Sequence, residues 1–315
     1  MRFIQPSGID KDWSKITFGC WQIAPSEGWG DVCTADESER TLRSALDAGI
    51  TAFDTAEGYG DGESERRLGK ALGPKKDEVI IISKVWPDAE LNIGDYQNRI
   101  DNTLRALNRD YVDVYLIHWP GDYFDTPEKS ARLGELMGAL KECGKTRWIG
   151  LSNFKAADLS RIGDGLDSFS VNEIPYSLLQ RHYEGDALQI CRSARIPYLA
   201  YAPSAKGLLA GRVSKEDRRF SARKNSDFYQ EPNFSRALKV VDVVKSVADE
   251  IGRNPIEVAL AWVLAQDNIL SAIVGSRKPD QVRQFAQAAD LELDTDTLKR
   301  LQAASDSFLQ DSETT

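Results

Sequence analysis

Short apolar runs alternate along this chain with longer stretches in which apolar residues recur three or four positions apart. Eight of the runs read as strands: 16–18, 51–54, 79–83, 112–117, 147–150, 169–172, 198–201 and 270–274. Between them the period changes to that of a helix. Leu42, Ala45 and Leu46 line one helical face, and Ile100, Leu104 and Leu107 fall at i, i+4 and i+7. Thr34 and Asp36 ahead of the first, and Thr126 and Glu128 ahead of another, are N-terminal signals. Further helices are expected over 239–251 and 255–266. Strands alternating with helices imply parallel pairing, hence an α/β fold: eight strands closed into a (β/α)8 TIM barrel, or a doubly wound sheet.

No Pro/Ser-rich linker divides the chain, which therefore reads as a single domain over 1–315. Pro6, Ser7 and Gly8 lie between two short runs and suggest an N-terminal hairpin ahead of the first barrel strand. Residues 212–233 carry Arg218, Arg219, Arg223 and Lys224 among Phe220, Phe228 and Tyr229, and read as a long, basic loop. Loops of that length in compact domains are usually functional or disordered; here the basic residues suit closure over phosphates. Extra helices end the chain, and 308–315 reads as a frayed tail.

Composition narrows the class. The chain is 41% hydrophobic and 28% charged, with a net charge of −9, which suits a water-soluble globular protein and disfavours a nucleic-acid surface. No run is long enough to span a bilayer, and residues 1–8 lack the apolar core of a secretory signal. Cys20, Cys33, Cys143 and Cys191 show no CxxC spacing and no neighbouring His, so reduced thiols in a cytoplasmic protein are expected, with no metal site.

The chemistry gathers where the strands end. Asp54 closes the second strand with Tyr59 just beyond; Lys84 closes the third; His118, Trp119 and Pro120 follow the fourth; Ser152 and Asn153 follow the fifth. Asn172 and Glu173 belong to the sixth, Tyr201 to the seventh, and Gly275 and Ser276 follow the eighth. In a barrel all these positions ring the C-terminal mouth. Any one of them suits a turn; the succession points to a site. A phenol near an ammonium suits proton donation, with Lys84 expected to lower the Tyr59 pKa, Asp54 to hold Lys84, and His118 to orient a substrate oxygen. Donating a proton to a carbonyl calls for a hydride source, hence a nicotinamide cofactor. The GxGxxG fingerprint fails after Gly58, Gly60 and Gly62, because Glu63 follows. Gly275, Ser276, Arg277 and Lys278 before a helix starting at Pro279 suit a phosphate, or simply a capped helix with solvated charges.

These residues together resemble the aldo-keto reductase superfamily over nearly the whole chain. The segment Phe53 to Gly60 followed by Glu65, Leu68 and Gly69, the segment Ile82–Ser83–Lys84, the run from Leu104 through Asp110–Tyr111–Val112–Asp113 to His118–Trp119–Pro120, and the run from Gly144 to Phe154 are similar to its motifs. The resemblance implies a catalytic tetrad of Asp54, Tyr59, Lys84 and His118, and a cofactor that is usually NADPH, with NADH the other option. It assigns the carboxamide to Ser152 and Asn153, beside Glu173; the nicotinamide face to Tyr201; the pyrophosphate to Pro203, Ser204, Lys206, Gly207 and Leu208; and the adenosine phosphate to Gly275, Ser276, Arg277, Lys278 and Gln281. It implies reduction of an aldehyde or ketone, sugars included, with a cofactor-binding sensor or accessory subunit as the alternative and a Schiff-base reaction at Lys84 as another. Trp21, Trp29, Trp86, Trp119 and Phe154 are the expected substrate walls.

Two positions depart from the family pattern. Glu173 stands where Gln is usual, and, read as an ionised acceptor, it favours oxidised cofactor. Phe285 stands where Asn commonly meets adenine.

Overall fold

The computed structural model describes residues 1–25, 32–121, 124–213 and 216–313. Eight parallel strands close into a barrel: β3 (Ile16–Gly19), β4 (Ala52–Asp54), β5 (Ile80–Val85), β6 (Val112–Ile117), β7 (Thr146–Ser152), β8 (Asn172–Pro175), β9 (Tyr198–Tyr201) and β10 (Ile269–Val274), with β10 returning to pair with β3. Ahead of them β1 (Phe3–Ile4) and β2 (Trp13–Ser14) form the expected antiparallel hairpin. The doubly wound alternative is excluded by the closure.

The strand period of two sorts the side chains into two cores. Ala52, Ile80, Ile82, Val114, Leu116, Val171, Leu199 and Ile273 point into the barrel and pack on Ile9, Trp13 and Trp148 at its floor. Their neighbours Phe53, Ile81, Tyr115, Ile149 and Ile174 point outward, under the helices. The hairpin thus plugs the N-terminal end, where the Trp13 and Trp148 rings lie 6.0 Å apart and Trp148 Nε1 donates to the Ser7 carbonyl. Beside the plug, Lys11 Nζ, Arg109 Nη1 and the Ile81 amide all donate to Asp113.

The outer layer includes α1 (Ala35–Asp47), α2 (Glu63–Leu72), α3 (Ile93–Leu107), α4 (Pro127–Glu142), α5 (Ala156–Ile162) and α6 (Asp186–Ser193). Thr34 caps α1, with Glu37 rather than Asp36 completing the reciprocal bonds, and Thr126 caps α4. The stretch 212–233 is not a plain loop. It holds short helical turns, including α7 (Ser221–Lys224), with Phe228 and Tyr229 buried. The remaining helices are α8 (Asn233–Ile251), α9 (Pro255–Leu264), α10 (Pro279–Ala286) and α11 (Thr295–Glu313). Phe308, at the start of the expected tail, is buried within α11.

One strand is displaced from its expected position. The run 169–172 reads as a strand, but Phe169 packs in the outer core at the end of a turn over Gly163–Ser168, and the paired strand is Asn172–Pro175. An apolar run marks burial, not where a ladder begins. Among the described residues, no helix is long and apolar enough to cross a membrane, and no group of His, Cys, Asp and Glu is placed to hold a metal ion. All four cysteines are free.

Candidate active site

In six of the eight strands the inward face, followed upward, changes from apolar to polar towards the mouth. Ala52 gives way to Asp54, Ile82 to Lys84, Leu116 to His118, Gly150 to Ser152, Val171 to Glu173 and Leu199 to Tyr201. The alternation that fills the barrel therefore also delivers a polar ring at the mouth.

At the centre of that ring is the Lys84 ammonium, fully buried. It lies 2.5 Å from Asp54 Oδ1, 2.9 Å from the Thr55 carbonyl, 3.4 Å from Glu173 Oε1 and 3.5 Å from the Tyr59 hydroxyl. Burial alone disfavours its charge, but Asp54, Glu173 and Tyr59 outweigh that and hold Lys84 above the usual lysine range. A firmly protonated amine has no lone pair for carbonyl addition, so the arrangement opposes a Schiff-base chemistry.

Tyr59 departs from expectation in direction. Burial pushes the phenol above its ordinary value; Lys84 pulls it down, but Asp54 and Glu173 push it up again. Two carboxyls screen the single ammonium. The phenol is thus a stable, protonated donor before anything binds. It accepts from Lys84 and keeps its own hydrogen for another partner. The His118 ring stands 5.6 Å away at 72°. Burial and then Lys84 hold that imidazole well below the usual histidine range, so it is neutral at pH 7, and its buried Nδ1 has no protein partner.

Glu173 is the second correction. It is buried within the cluster, with Oε1 3.4 Å from Lys84 Nζ. Burial first, then Asp54, raise it well above the usual carboxylate range despite Lys84, and Asp54 is raised in turn, chiefly by burial. The two carboxyls disfavour one another's charge around a single ammonium, and Glu173 is the one pushed further up. Glu173 Oε2 is buried and unpartnered. Beside it in register stands Ser152. The Asn153 amide is already committed, donating to the His118 carbonyl and to Ser152 Oγ and accepting from the Tyr201 hydroxyl.

Three tryptophans expected in the substrate wall, Trp21, Trp86 and Trp119, are large exposed side chains. Trp86 meets His118 edge-on at 5.0 Å, and Trp119 stacks at 6.4 Å. Trp29 lies outside the described residues. Phe154 does not line the wall: Asn153 turns the chain with φ 67°, and the ring is fully buried against Phe124 at 4.9 Å.

Beyond the ends of β9 and β10 runs a cleft of about 680 Å³. Ser204, Lys206, Gly207, Gly275, Ser276, Arg277, Lys278 and Gln281 line it. Pro203 and Leu208 are buried and shape the loop from beneath. In that loop Ala202, Ala205, Lys206 and Gly207 all have positive φ, a tight, left-handed path. Lys206 Nζ donates to Ser226 Oγ and its carbonyl accepts from Arg223 Nε, tying the loop to the 212–233 segment. Ser276 Oγ accepts from the Lys278 amide and pairs with Gln281 Oε1, bracing the turn into α10. Gly275 is obligatory: a Cβ there would stand 2.7 Å from the Gly19 carbonyl. Phe285 also lines the cleft, its ring 6.4 Å from Phe18.

The cleft fits an extended polyanion. Lys206, Arg212, Arg219, Arg223, Arg277 and Lys278 face it, against Asp217 as the acid. At the mouth, the unpartnered Glu173 Oε2 and His118 Nδ1 offer buried hydrogen-bonding atoms to a neutral amide and a polar oxygen.

Two contributors escaped the sequence reading. Glu57 Oε1 accepts from the Trp86 amide and from Arg99 Nη1, fixing the tryptophan beside His118. Gln22, three residues past β3, reaches the cleft with a buried, unpartnered Oε1. Glu57 sits inside the motif that holds Tyr59, but nothing in that motif names Trp86 as its partner.

Comparison with known proteins places the chain among reductases. The model of the Aldo/keto reductase family matches residues 15–306. The chain is 32% identical over 307 residues to the methylglyoxal reductase YeaE of Escherichia coli, covering 96% of this chain and 94% of that one. Among solved structures, it is similar to the glycerol dehydrogenase of Gluconobacter oxydans, with TM-score 0.81, 28% identity and coverage of 96% and 94%. An aldo/keto reductase from Klebsiella pneumoniae in complex with NADP and acetate gives TM-score 0.74, 29% identity and coverage of 94% and 93%.

Proposed function

The chain belongs to the aldo/keto reductase family, and from that premise we propose that it reduces a small aldehyde or ketone, sugars included, to the alcohol, using NADPH. The observation that carries this reading is the Tyr59 hydroxyl, which accepts from Lys84 while its own hydrogen stays uncommitted next to His118. A substrate oxygen meets Tyr59 and the neutral His118 together. As negative charge develops on that oxygen, Tyr59 gives up its proton, and the Lys84 ammonium stabilises the phenolate that remains. Asp54 keeps Lys84 charged and aimed. A bound nicotinamide cofactor supplies the hydride.

The residues assigned to hold it are Ser152, Asn153 and Glu173 for the carboxamide, Tyr201 for the ring, Ser204, Lys206 and Gly207 for the pyrophosphate, and Arg277 and Lys278 for the 2′-phosphate. The last two favour NADPH over NADH, since the extra phosphate suits charge-assisted bonds. Trp21, Trp86 and Trp119 offer aromatic faces to a small substrate with polar ends.

The test is NADPH consumption, followed by absorbance, over a panel containing methylglyoxal, glyceraldehyde, aryl aldehydes and aldoses. Turnover of at least one class, lost in Tyr59→Phe, is expected. Tight cofactor binding with no turnover on the whole panel would instead favour a cofactor-binding sensor.

A further inference from the structure

Lys84 is met by two carboxyls, one from β4 and one from β8. Asp54 and Glu173 crowd the same buried ammonium, and each carboxyl disfavours the other's charge; of two carboxyls sharing one site, one is strongly inclined to keep its proton. One ammonium, one carboxylate and one carboxylic acid sum to zero charge in a dry pocket. A glutamine at 173 would give the same sum, but with no proton to yield.

We propose that the Asp54–Glu173 pair is a proton-linked counter-charge for oxidised cofactor: it keeps one proton while Lys84 is its only cationic neighbour, and releases that proton to solvent when a cationic nicotinamide ring binds at the mouth. This rests on the cofactor assignment above. With the ring present, two cations face two carboxylates and the sum is again zero. A neutral, reduced ring asks for no such change. The free edge of the pair, Glu173 Oε2, is buried, lacks a protein partner, and belongs to the residue beside Ser152 in register.

The other titratable groups around the pair do not compete for the role. Tyr59 after β4, Tyr201 on β9 and Cys20 after β3 are all pushed up by burial, and His118 after β6 is pushed well down. Near neutral pH none of them gains or loses a proton, and Lys84 stays charged. The pair is the group poised to change.

Proton release on binding makes affinity for oxidised cofactor rise with pH, by up to about tenfold per pH unit while release is complete. Isothermal titration calorimetry of the full chain with NADP+ and with NADPH, in buffers of different ionisation enthalpy near pH 7, counts the protons. The 2′-phosphate is common to both ligands and cancels in the difference. Expected is a release of up to one proton more for NADP+ than for NADPH, and no difference in Glu173→Gln. Equal proton counts for the two ligands on the unmodified chain would overturn the proposal, whether or not the variant folds. So would a difference that survives in Glu173→Gln. If neither ligand binds the unmodified chain, the cofactor assignment falls and takes this proposal with it; binding of both with equal proton counts sinks the proposal alone.

Discussion

At the floor of the barrel one carboxylate, Asp113, is met by two cations and a backbone amide, at 2.7, 3.0 and 2.8 Å. At the mouth one cation, Lys84, is met by two carboxyls, and buried polar atoms of Glu173 and His118 are left without protein partners. Both clusters are buried and both draw on the barrel strands. At the floor Arg109 too leaves Nε and Nη2 without hydrogen-bond partners, but the Tyr111 ring covers the guanidinium, with Arg109 and Arg147 over it at 4.6 and 4.3 Å, and Lys11 ties the hairpin to β6. The mouth cluster is complete only with something added. Equal burial thus serves two ends, and the count of partners per charge tells them apart.

If this distinction holds, substitutions at the two ends fail differently. The largest effect is expected from Tyr59→Phe, which removes the proton donor and leaves the ring. The rate of reduction should fall by about 10²–10⁴-fold, with cofactor affinity and melting temperature unchanged. Near-normal turnover of this variant between pH 6 and 8 would remove Tyr59 from its role. Asp113→Ala does the reverse. It strands Lys11 and Arg109, and breaking a buried pair on one side costs about 3–5 kcal/mol of unfolding free energy, readable in urea. The kcat/KM of the protein that remains folded should not change; a selective loss of activity there would erase the contrast.

Glu65 tests whether burial alone, away from Lys84, leaves a mark. It is buried between α2 and the barrel wall, accepting from Ser83 of β5, and burial raises it from 4.5 to about 7. The folded state therefore keeps a proton that the unfolded state has lost between those values. Stability drains away as pH rises across that window, and the full cost is in place above it. Glu65→Gln should therefore gain stability relative to the parent between pH 5 and pH 8, by up to about 3 kcal/mol. A gap that stays constant with pH would show that the shift is absent. The smallest effect is expected far along the cleft. Arg277→Ala with Lys278→Ala should weaken NADPH by roughly 10–100-fold, in line with loss of hydrogen bonds to a charged group, and spare NADH. Equal weakening of both would move these cations off the 2′-phosphate.

The polar ring at the mouth was legible in the sequence because strands alternate. Asp54, Lys84 and His118 sit two residues beyond inward apolar positions, so finding the strands located them. What was not legible depends on more than one strand. The upward shifts of Tyr59 and Glu173 follow from burial and from two carboxyls sharing one ammonium, and those groups lie at 54, 84 and 173. Phe154 was misplaced because proximity to a motif says nothing about the turn at Asn153 that swings it into the core. The position of β8 was read three residues early for a related reason: Phe169 is buried by helices, not by pairing.

That uneven spacing along the chain bears on how the barrel is assembled. A partial ring from β3 to β6 already contains Asp54 and Lys84, which neutralise one another across adjacent strands. When β8 joins later, its Glu173 carboxyl passes from water, where it is ionised at neutral pH, into the buried cluster, where burial and Asp54 raise it well above the usual carboxylate range. Ring closure is therefore linked to proton uptake at Glu173, and the second half of the chain docks more readily at lower pH than at higher pH.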